Sequence, residues 1–441
     1  PPSSIDYESY LTTRSLRRQP SAIRALQPFL SIPGMISLGG GMPNPATFPF
    51  VSFSMELADG TKVEVTPEDT RVALQYGATP GLGELVDRLA AVQRAEHSPP
   101  GAAADFDIAV TQGSQDGLAK AFDMFVGPED AILVENPTYS GSLAFLEPVG
   151  CKLVSVPTDA QGLVPEALED VLSSWDPSRD GKKPRVLYTI PTGCNPTGAS
   201  LPVDRRHAVY DVARRHDLLI MEDDPYYYLQ YSPSRLPSLL SIDEDGRVLR
   251  FDSFSKILSS GLRVGVVTGP KPLVNRINLH SQASNLHISG LSQMAVLSLF
   301  REGVPTPAFF LDRRAGVGEG DAPSLGRLEA HVQSVVEFYR SQCDAFLASA
   351  ERHLSGLVEY APPTAGMFVW MRLLGVEDSF ALIKEEAVKE KVLLVPGASF
   401  VAGSPPSPFV RAAFSTASPA DIDSALERLG NLLRTVRDRS E

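Results

Sequence analysis

Between residues 105 and 270, seven short apolar runs alternate with stretches of helical periodicity, and this alternation constrains the fold more than any other feature of the chain. The runs fall at 108–111, 132–134, 153–156, 186–190, 218–221, 248–251 and 264–268. They are rich in Val, Ile and Leu and apolar at nearly every position, whereas a strand with one wet face would alternate. Such strands must be covered on both sides, and the helical stretches between them, 199–216 among them, supply the cover. The expectation is an α/β chain built on a mainly parallel seven-stranded central sheet. Only residues 252–263 separate the last two runs, short enough for an antiparallel return.

Further along, Leu328, Val332, Val335, Val336 and Tyr339 mark one face of a long helix that should run to Leu354. Strand-like 367–371, helical 379–391 and strand-like 392–395 and 409–414 follow. Ile422, Ala425, Leu426, Leu429, Leu432 and Leu433 then keep helical spacing to the end. This tail reads as a smaller α+β domain. The expected division is an N-terminal arm over 1–55 that joins the small domain, a large domain over 56–335 and the small domain over 336–441. A chain of 441 residues is long enough to bury two cores. The Gly-rich stretch 316–326 reads as an exposed loop.

Several classes of function are disfavoured at once. Forty basic against fifty-three acidic side chains give a net charge of −13, unsuited to a surface that tracks nucleic acid. No apolar run is long enough to cross a bilayer. The three cysteines, Cys151, Cys194 and Cys343, have no CxxC spacing, which argues against a disulfide framework or a zinc site and for a reducing compartment. Residues 9–55 contain no Asp or Glu, and Arg14, Arg17, Arg18 and Arg24 lie among Ser and Thr, as in an organelle transit peptide. From Arg24 onward an ordered arm is the expectation. The chain opens on Pro1 rather than Met, so an upstream start is expected, and both cytoplasm and mitochondrion stay open as locations.

Chemistry-bearing residues gather at the C-terminal ends of the strand candidates, where open α/β sheets bind ligands. The first run leads into Gln112-Gly113-Ser114-Gln115 and a helical pattern, which makes either an anion cradle or a simple cap. The loop from Pro191 to Gly198 carries two prolines and two glycines around Asn195, which aim that side chain or merely turn the chain. Glu222-Asp223-Asp224 follows an apolar strand. A buried carboxylate there needs a partner, while the outer two read as a solvated acidic turn. Finally, Asp252-Ser253-Phe254-Ser255-Lys256 leads to Gly261-Leu262-Arg263. A desolvated lysine among hydroxyls becomes a neutral nucleophile; alone it would be surface charge.

Asn195-Pro196-Thr197-Gly198, Asp223 with Tyr226, and Ser253-Phe254-Ser255-Lys256 with Arg263, in this order and spacing, resemble the class I aminotransferases of the fold-type I pyridoxal-phosphate superfamily. The likeness covers nearly the whole chain. Ser37 to Pro45, Leu74-Gln75-Tyr76, Asp223-Asp224-Pro225-Tyr226-Tyr227 and Gly366-Met367-Phe368 resemble the kynurenine/α-aminoadipate branch, to which fungal aromatic aminotransferases are close. Thr192 and Cys194 depart from the Asn-rich spelling of that branch, and the 316–326 loop is longer than it suggests.

The resemblance implies roles. Lys256 would bind the pyridoxal phosphate covalently and move the substrate proton. Asp223 would keep the pyridine nitrogen protonated, and Asn195 and Tyr226 would bond the phenolate oxygen. Tyr139 would stack on the ring. Ser114, Gln115, Ser253, Ser255 and Arg263 would hold the phosphate, with Tyr76 reaching in from a second subunit. Arg411 would clamp the substrate α-carboxylate with its planar fork, and Gly41 and Arg24 would close over the substrate.

The implied activity is a homodimeric transaminase. It would move the amino group of kynurenine, 2-aminoadipate or an aromatic amino acid to 2-oxoglutarate or another 2-oxo acid, in ping-pong order, with no membrane or nucleic-acid partner. Other reactions on the same fold, a C–S β-lyase, decarboxylase or synthase, are the alternative. A cofactor-sensing regulator is disfavoured because the pattern starts by Gly39 and leaves no room for a DNA-binding module. Dinucleotide binding fails because Met42-Pro43 follows Gly39-Gly40-Gly41 where a helix is required.

Overall fold

The computed structural model describes residues 5–301 and 327–440, apart from positions 24, 27, 28, 30, 31 and 40. Arg24 and the 316–326 stretch therefore lie outside the described residues. The chain divides into two compact units, residues 1–125 with 243–331 and residues 126–242 with 332–441. All seven apolar runs are strands.

In the first unit, Gly265–Pro270 pairs antiparallel with both Phe106–Thr111 and Val248–Ser253. The short return over 252–263 thus does what its length allowed. Helices Ser114–Phe125, Lys271–Ala283 and Gly83–His97 pack with these strands and bury Leu118, Phe122, Leu273, Ile277 and Leu85. A hairpin of Phe53–Glu56 and Lys62–Val65 was not legible in the sequence. Its four-residue strands bury only Val63 and Val65, too little pattern to distinguish from a loop.

In the second unit, Leu219–Asp223, Val186–Thr189, Ala131–Asn136 and Lys152–Asp159 lie side by side in parallel. Gly162–Leu163 adds a short antiparallel partner at the edge. Every residue of Val186–Thr189 and Leu219–Asp223 is buried, which is why these runs lack alternation. The helix expected over 199–216 starts later, at Val203–Arg215, because Pro202 stands at its N-cap. Residues before it remain in the loop, where the Leu201 amide donates to the Pro191 carbonyl.

Val358–Tyr360, Phe368–Leu373, Phe409–Ala413 and Val395–Pro396 form an antiparallel sheet, with Arg327–Leu354 and Pro419–Ser440 as the long helices of the tail. Two expectations need correction. The strand over 392–395 shrinks to Val395–Pro396, and the helix over 379–391 is a short α-turn, Ser379–Ala381, running into the π-helical Leu382–Ala387. Lys391 stops the coil in the left-handed region at φ 59°, and the Val392 amide reaches back to the Ala387 carbonyl. The apolar residues after it are spent leaving the helix.

Candidate active site

In the first unit, three side chains converge where Phe106–Thr111 ends and the twelve-residue helix Ser114–Phe125 begins. Gly113 turns the chain at φ 77°, and Arg263, itself at φ 53°, lays its guanidinium against that turn. Nη1 donates to the Ser255 hydroxyl and the Ser260 carbonyl, and Nη2 to the Gln112 carbonyl, each at 3.2 Å. A Cβ on Gly113 would lie 2.2 Å from Arg263 Nη2, so only glycine permits the approach. Ser255 is tethered in turn, its amide donating to Ser253 Oγ at 3.2 Å.

Among the described residues no carboxylate pairs with Arg263. Asp116, in the first turn of the helix, is taken up by the buried Lys120 at 2.6 Å. What remains is a guanidinium, hydroxyls and a helix start, a set that fits a phosphate dianion. Gln115 is half-buried beside Ser114, and Lys256 is half-buried in the turn directly after Ser255.

In the second unit, Asp223 ends its strand almost fully buried, and its Oδ2 accepts the Tyr188 hydroxyl at 2.8 Å. Burial first, and Asp223 second, push the Tyr188 hydroxyl well above its ordinary pKa, so it stays a neutral donor. Tyr188 was missed in the sequence because it sits inside an apolar run; its one signal is a polar tip at a position with no water. The neighbouring carboxylates are not the solvated turn expected. Glu222 and Asp224 are buried, and Glu222 accepts the Leu239 and Leu240 amides at 2.6 and 3.1 Å.

Tyr226 is buried with its ring edge-on to Phe368 at 5.7 Å, and burial, then Asp223, raises its hydroxyl pKa. Tyr139 is half-buried at the head of Ser140–Val149; a Cβ on Gly141 would lie 2.4 Å from its ring. Asn195 is buried, and its Oδ1 accepts from Arg411 Nη1 at 2.8 Å, which leaves the amide nitrogen to donate. Arg411 lies over two rings, 4.5 Å from the Phe368 centroid and 5.0 Å from Phe400. Its buried Nε has no hydrogen-bond partner and, among the described residues, no carboxylate pairs with it. Burial lowers its pKa, as expected of a desolvated cation without an anion. A planar fork held open in an apolar slot fits a carboxylate. Tyr76 is exposed, edge-on to His287 at 6.1 Å, and Gly41 is exposed.

The two spelling departures point inward. Thr192 Oγ1 accepts from Arg206 at 3.1 Å, and this fully buried arginine also donates to the Leu201 and Pro191 carbonyls. The Cys194 thiol donates to Glu135 Oε2 at 3.5 Å. Burial pushes the Glu135 carboxyl up to about 7. As pH rises from 4.5, its ordinary value, towards about 7, the unfolded chain gives up this proton while the folded chain keeps it. Folding therefore loses stability across that window and levels off above it. Glu135→Gln removes the dependence. Urea titrations should show the variant gaining on the parent by up to about 3 kcal/mol between pH 4.5 and 7, and a pH-independent difference would contradict this.

The family pattern for aminotransferase class I and II matches residues 57–429. The mitochondrial kynurenine/alpha-aminoadipate aminotransferase of Bos taurus is 42% identical over 98% of this chain and 99% of its own length. Among solved structures, the aromatic aminotransferase Aro9 from C. albicans superposes with a TM-score of 0.83 at 28% identity, covering 99% of both chains. The kynurenine aminotransferase of Pyrococcus horikoshii, solved with PMP, KYN and KYA, gives 0.72 at 28% identity over 98% of each chain.

Proposed function

The chain belongs to the class I and II aminotransferases, pyridoxal-phosphate enzymes, and on that footing we propose that its amino donors are kynurenine, 2-aminoadipate and aromatic amino acids. The acceptor is 2-oxoglutarate or another 2-oxo acid. The observation that carries this reading is the Arg411 fork, short of an anion and walled by Phe368 and Phe400. It suits a carboxylate attached to a bulky apolar body. The names carried by the relatives, kynurenine, aminoadipate and aromatic, support the same class.

When bound, pyridoxal phosphate supplies a ring that accepts the electrons released at the substrate α-carbon. The chain's residues would do the rest. Ser114, Gln115, Ser253, Ser255 and Arg263 would hold the phosphate. Asp223, kept in place by Tyr188, would keep the pyridine nitrogen protonated. Asn195 and Tyr226 would donate to the phenolate oxygen, and Tyr139 would cover the ring. Lys256 would hold the cofactor and move the proton at the substrate α-carbon. Arg411 would orient the α-carboxylate.

A homodimer belongs to this reading, with Tyr76 serving the neighbouring subunit's phosphate and Gly41 and Arg24 closing over the substrate. Exposed Ile23, Phe29, Ile36, Leu38, Phe50 and Val51 make the arm an apolar surface that a second copy would cover. The arm over 1–55, a cofactor-binding part over 56–335 and a small part over 336–441 are the proposed division of labour. Cytoplasm and mitochondrion are the proposed locations; the bovine relative is named mitochondrial, and no described helix is long and apolar enough to cross a membrane.

The test is a panel of amino donors with 2-oxoglutarate, scored by kcat/KM. Kynurenine, 2-aminoadipate and aromatic amino acids should exceed aspartate and alanine by about tenfold or more. One glutamate should form per donor consumed; keto product without glutamate would indicate lyase chemistry and defeat the proposal.

A further inference from the structure

Glu135 is a buried carboxyl that none of the roles above uses. It is the second-to-last residue of Ala131–Asn136, and it contacts the stretch 189–194 that leads to Asn195. Oε1 accepts the Thr189 hydroxyl at 2.5 Å, while Oε2 accepts the Ile190 amide at 3.4 Å and the Cys194 thiol at 3.5 Å. One side chain thus grips the last residue of Val186–Thr189, the first residue beyond it, and the residue immediately before Asn195. The parallel register, with Val134 opposite Tyr188, places it at the mouth of that loop.

Arg206 braces the same loop through Pro191, Thr192 and Leu201. Its contacts fix where the loop enters and leaves. Those of Glu135 reach the residue next to Asn195, and Asn195 in turn holds Arg411 at 2.8 Å. Direct contacts therefore run from Glu135 through Cys194 to Asn195 and on to the guanidinium.

The geometry points to Glu135 as a positioning residue that, through Ile190 and Cys194, sets the direction of the Asn195 side chain and with it the Arg411 fork. This rests on the reading of Asn195 and Arg411 as the groups that meet cofactor and substrate. No basic residue among the described ones pairs with Glu135. Burial raises its pKa to about 7, so it is mainly the neutral acid below that pH. Gln can therefore stand in for it, while Ala cannot. A buried carboxyl is costly unless it is hydrogen-bonded, and the donors of Thr189, Ile190 and Cys194 tie this one to the strand end and the loop after it.

The test uses the full-length, cofactor-loaded protein. Glu135→Ala, Glu135→Gln, Cys194→Ala, Asn195→Ala and the pair Glu135→Ala/Asn195→Ala are compared by three readouts. These are KM against kcat for one amino donor, the pH midpoint of the bound-cofactor absorbance, and the unfolding midpoint. Glu135→Ala is expected to raise KM about tenfold and to move the absorbance midpoint in the direction that Asn195→Ala moves it. Glu135→Gln should stay within about threefold of the parent in KM. The double variant should match Asn195→Ala alone, since a residue acting through Asn195 has nothing left to act on.

If Glu135→Ala lowers the unfolding midpoint yet leaves KM and the absorbance midpoint at parental values, the residue is only structural and the proposal is overturned. Full additivity in the double variant overturns it equally. Should Glu135→Ala not fold, Cys194→Ala cuts the same link at its middle, and an unshifted absorbance midpoint there is decisive against it. A parent protein that shows no cofactor absorbance and forms no glutamate would instead defeat the aminotransferase reading.

Discussion

Lys256→Ala is expected to abolish transamination, lowering kcat by at least about four orders of magnitude, and to remove the visible absorbance of the lysine-bound cofactor. One amine is asked to do two things. In the proposed role it would bond the cofactor's aldehyde and move the proton that converts an amino acid into a 2-oxo acid; the second task alone is worth about 10² to 10⁴ in rate. The local chain is built to hold that amine still. Lys256 follows Ser255, which Arg263 grips at 3.2 Å, and Ser255 is tied to Ser253. None of these contacts involves the lysine side chain, so the phosphate-holding set should survive the substitution. Lys256→Ala should still take up pyridoxal phosphate, reversibly and with the spectrum of a free aldehyde. Retention of normal turnover would refute the assignment of the lysine, whereas failure to take up cofactor at all would show that the amine also builds the pocket.

The site was legible in the sequence to the extent that its chemistry sits in short contiguous strings. Ser253 to Lys256, Asn195 to Gly198 and Asp223 to Tyr226 each follow an apolar run, and a strand end fixes where such a string must appear. The structure gathers Ser255, Arg263 and the Gln112–Ser114 turn as that order implied, and it joins Asn195 to Arg411 across 216 positions of chain. Residues that act from inside a strand were not legible. Tyr188 sits within an apolar run and Glu135 directly after one, and only the parallel register shows that one meets Asp223 and the other the Asn195 loop. Phe368 and Phe400 likewise look like ordinary core residues until the sheet of the tail brings Arg411 over both rings.

The same physics explains the structural misses. Pro202 delays a helix whose periodicity already begins at Ala199, and the left-handed turn at Lys391 consumes residues that read as a strand. Periodicity reports which face is buried, whereas these boundaries depend on one backbone angle each. Thr192 and Cys194 illustrate a further point. A departure from a family spelling suggests altered substrate contact when read along the chain, yet both side chains turn away to Arg206 and Glu135. Both therefore brace the loop that carries Asn195.

Arg411→Ala is expected to lower kcat/KM by about 10² to 10³ for every amino acid tested, mainly through KM, because all donors share the α-carboxylate. Truncating one partner of a buried charge pair costs about 2–5 kcal/mol, and about 1.4 kcal/mol is a factor of ten. The guanidinium is already desolvated between Phe368 and Phe400, and its Nη1 is committed to Asn195 at 2.8 Å. Its remaining donors are thus aimed before substrate arrives, and little ordering is left for binding to supply. Arg411→Lys retains the charge but loses the fork and the link to Asn195, so it should recover no more than about a tenth of the lost kcat/KM. Uniformity across donors is the decisive measurement. A loss confined to 2-aminoadipate, with kynurenine and aromatic donors unaffected, would mean that Arg411 reads a side-chain carboxylate, and the α-carboxylate would need another partner.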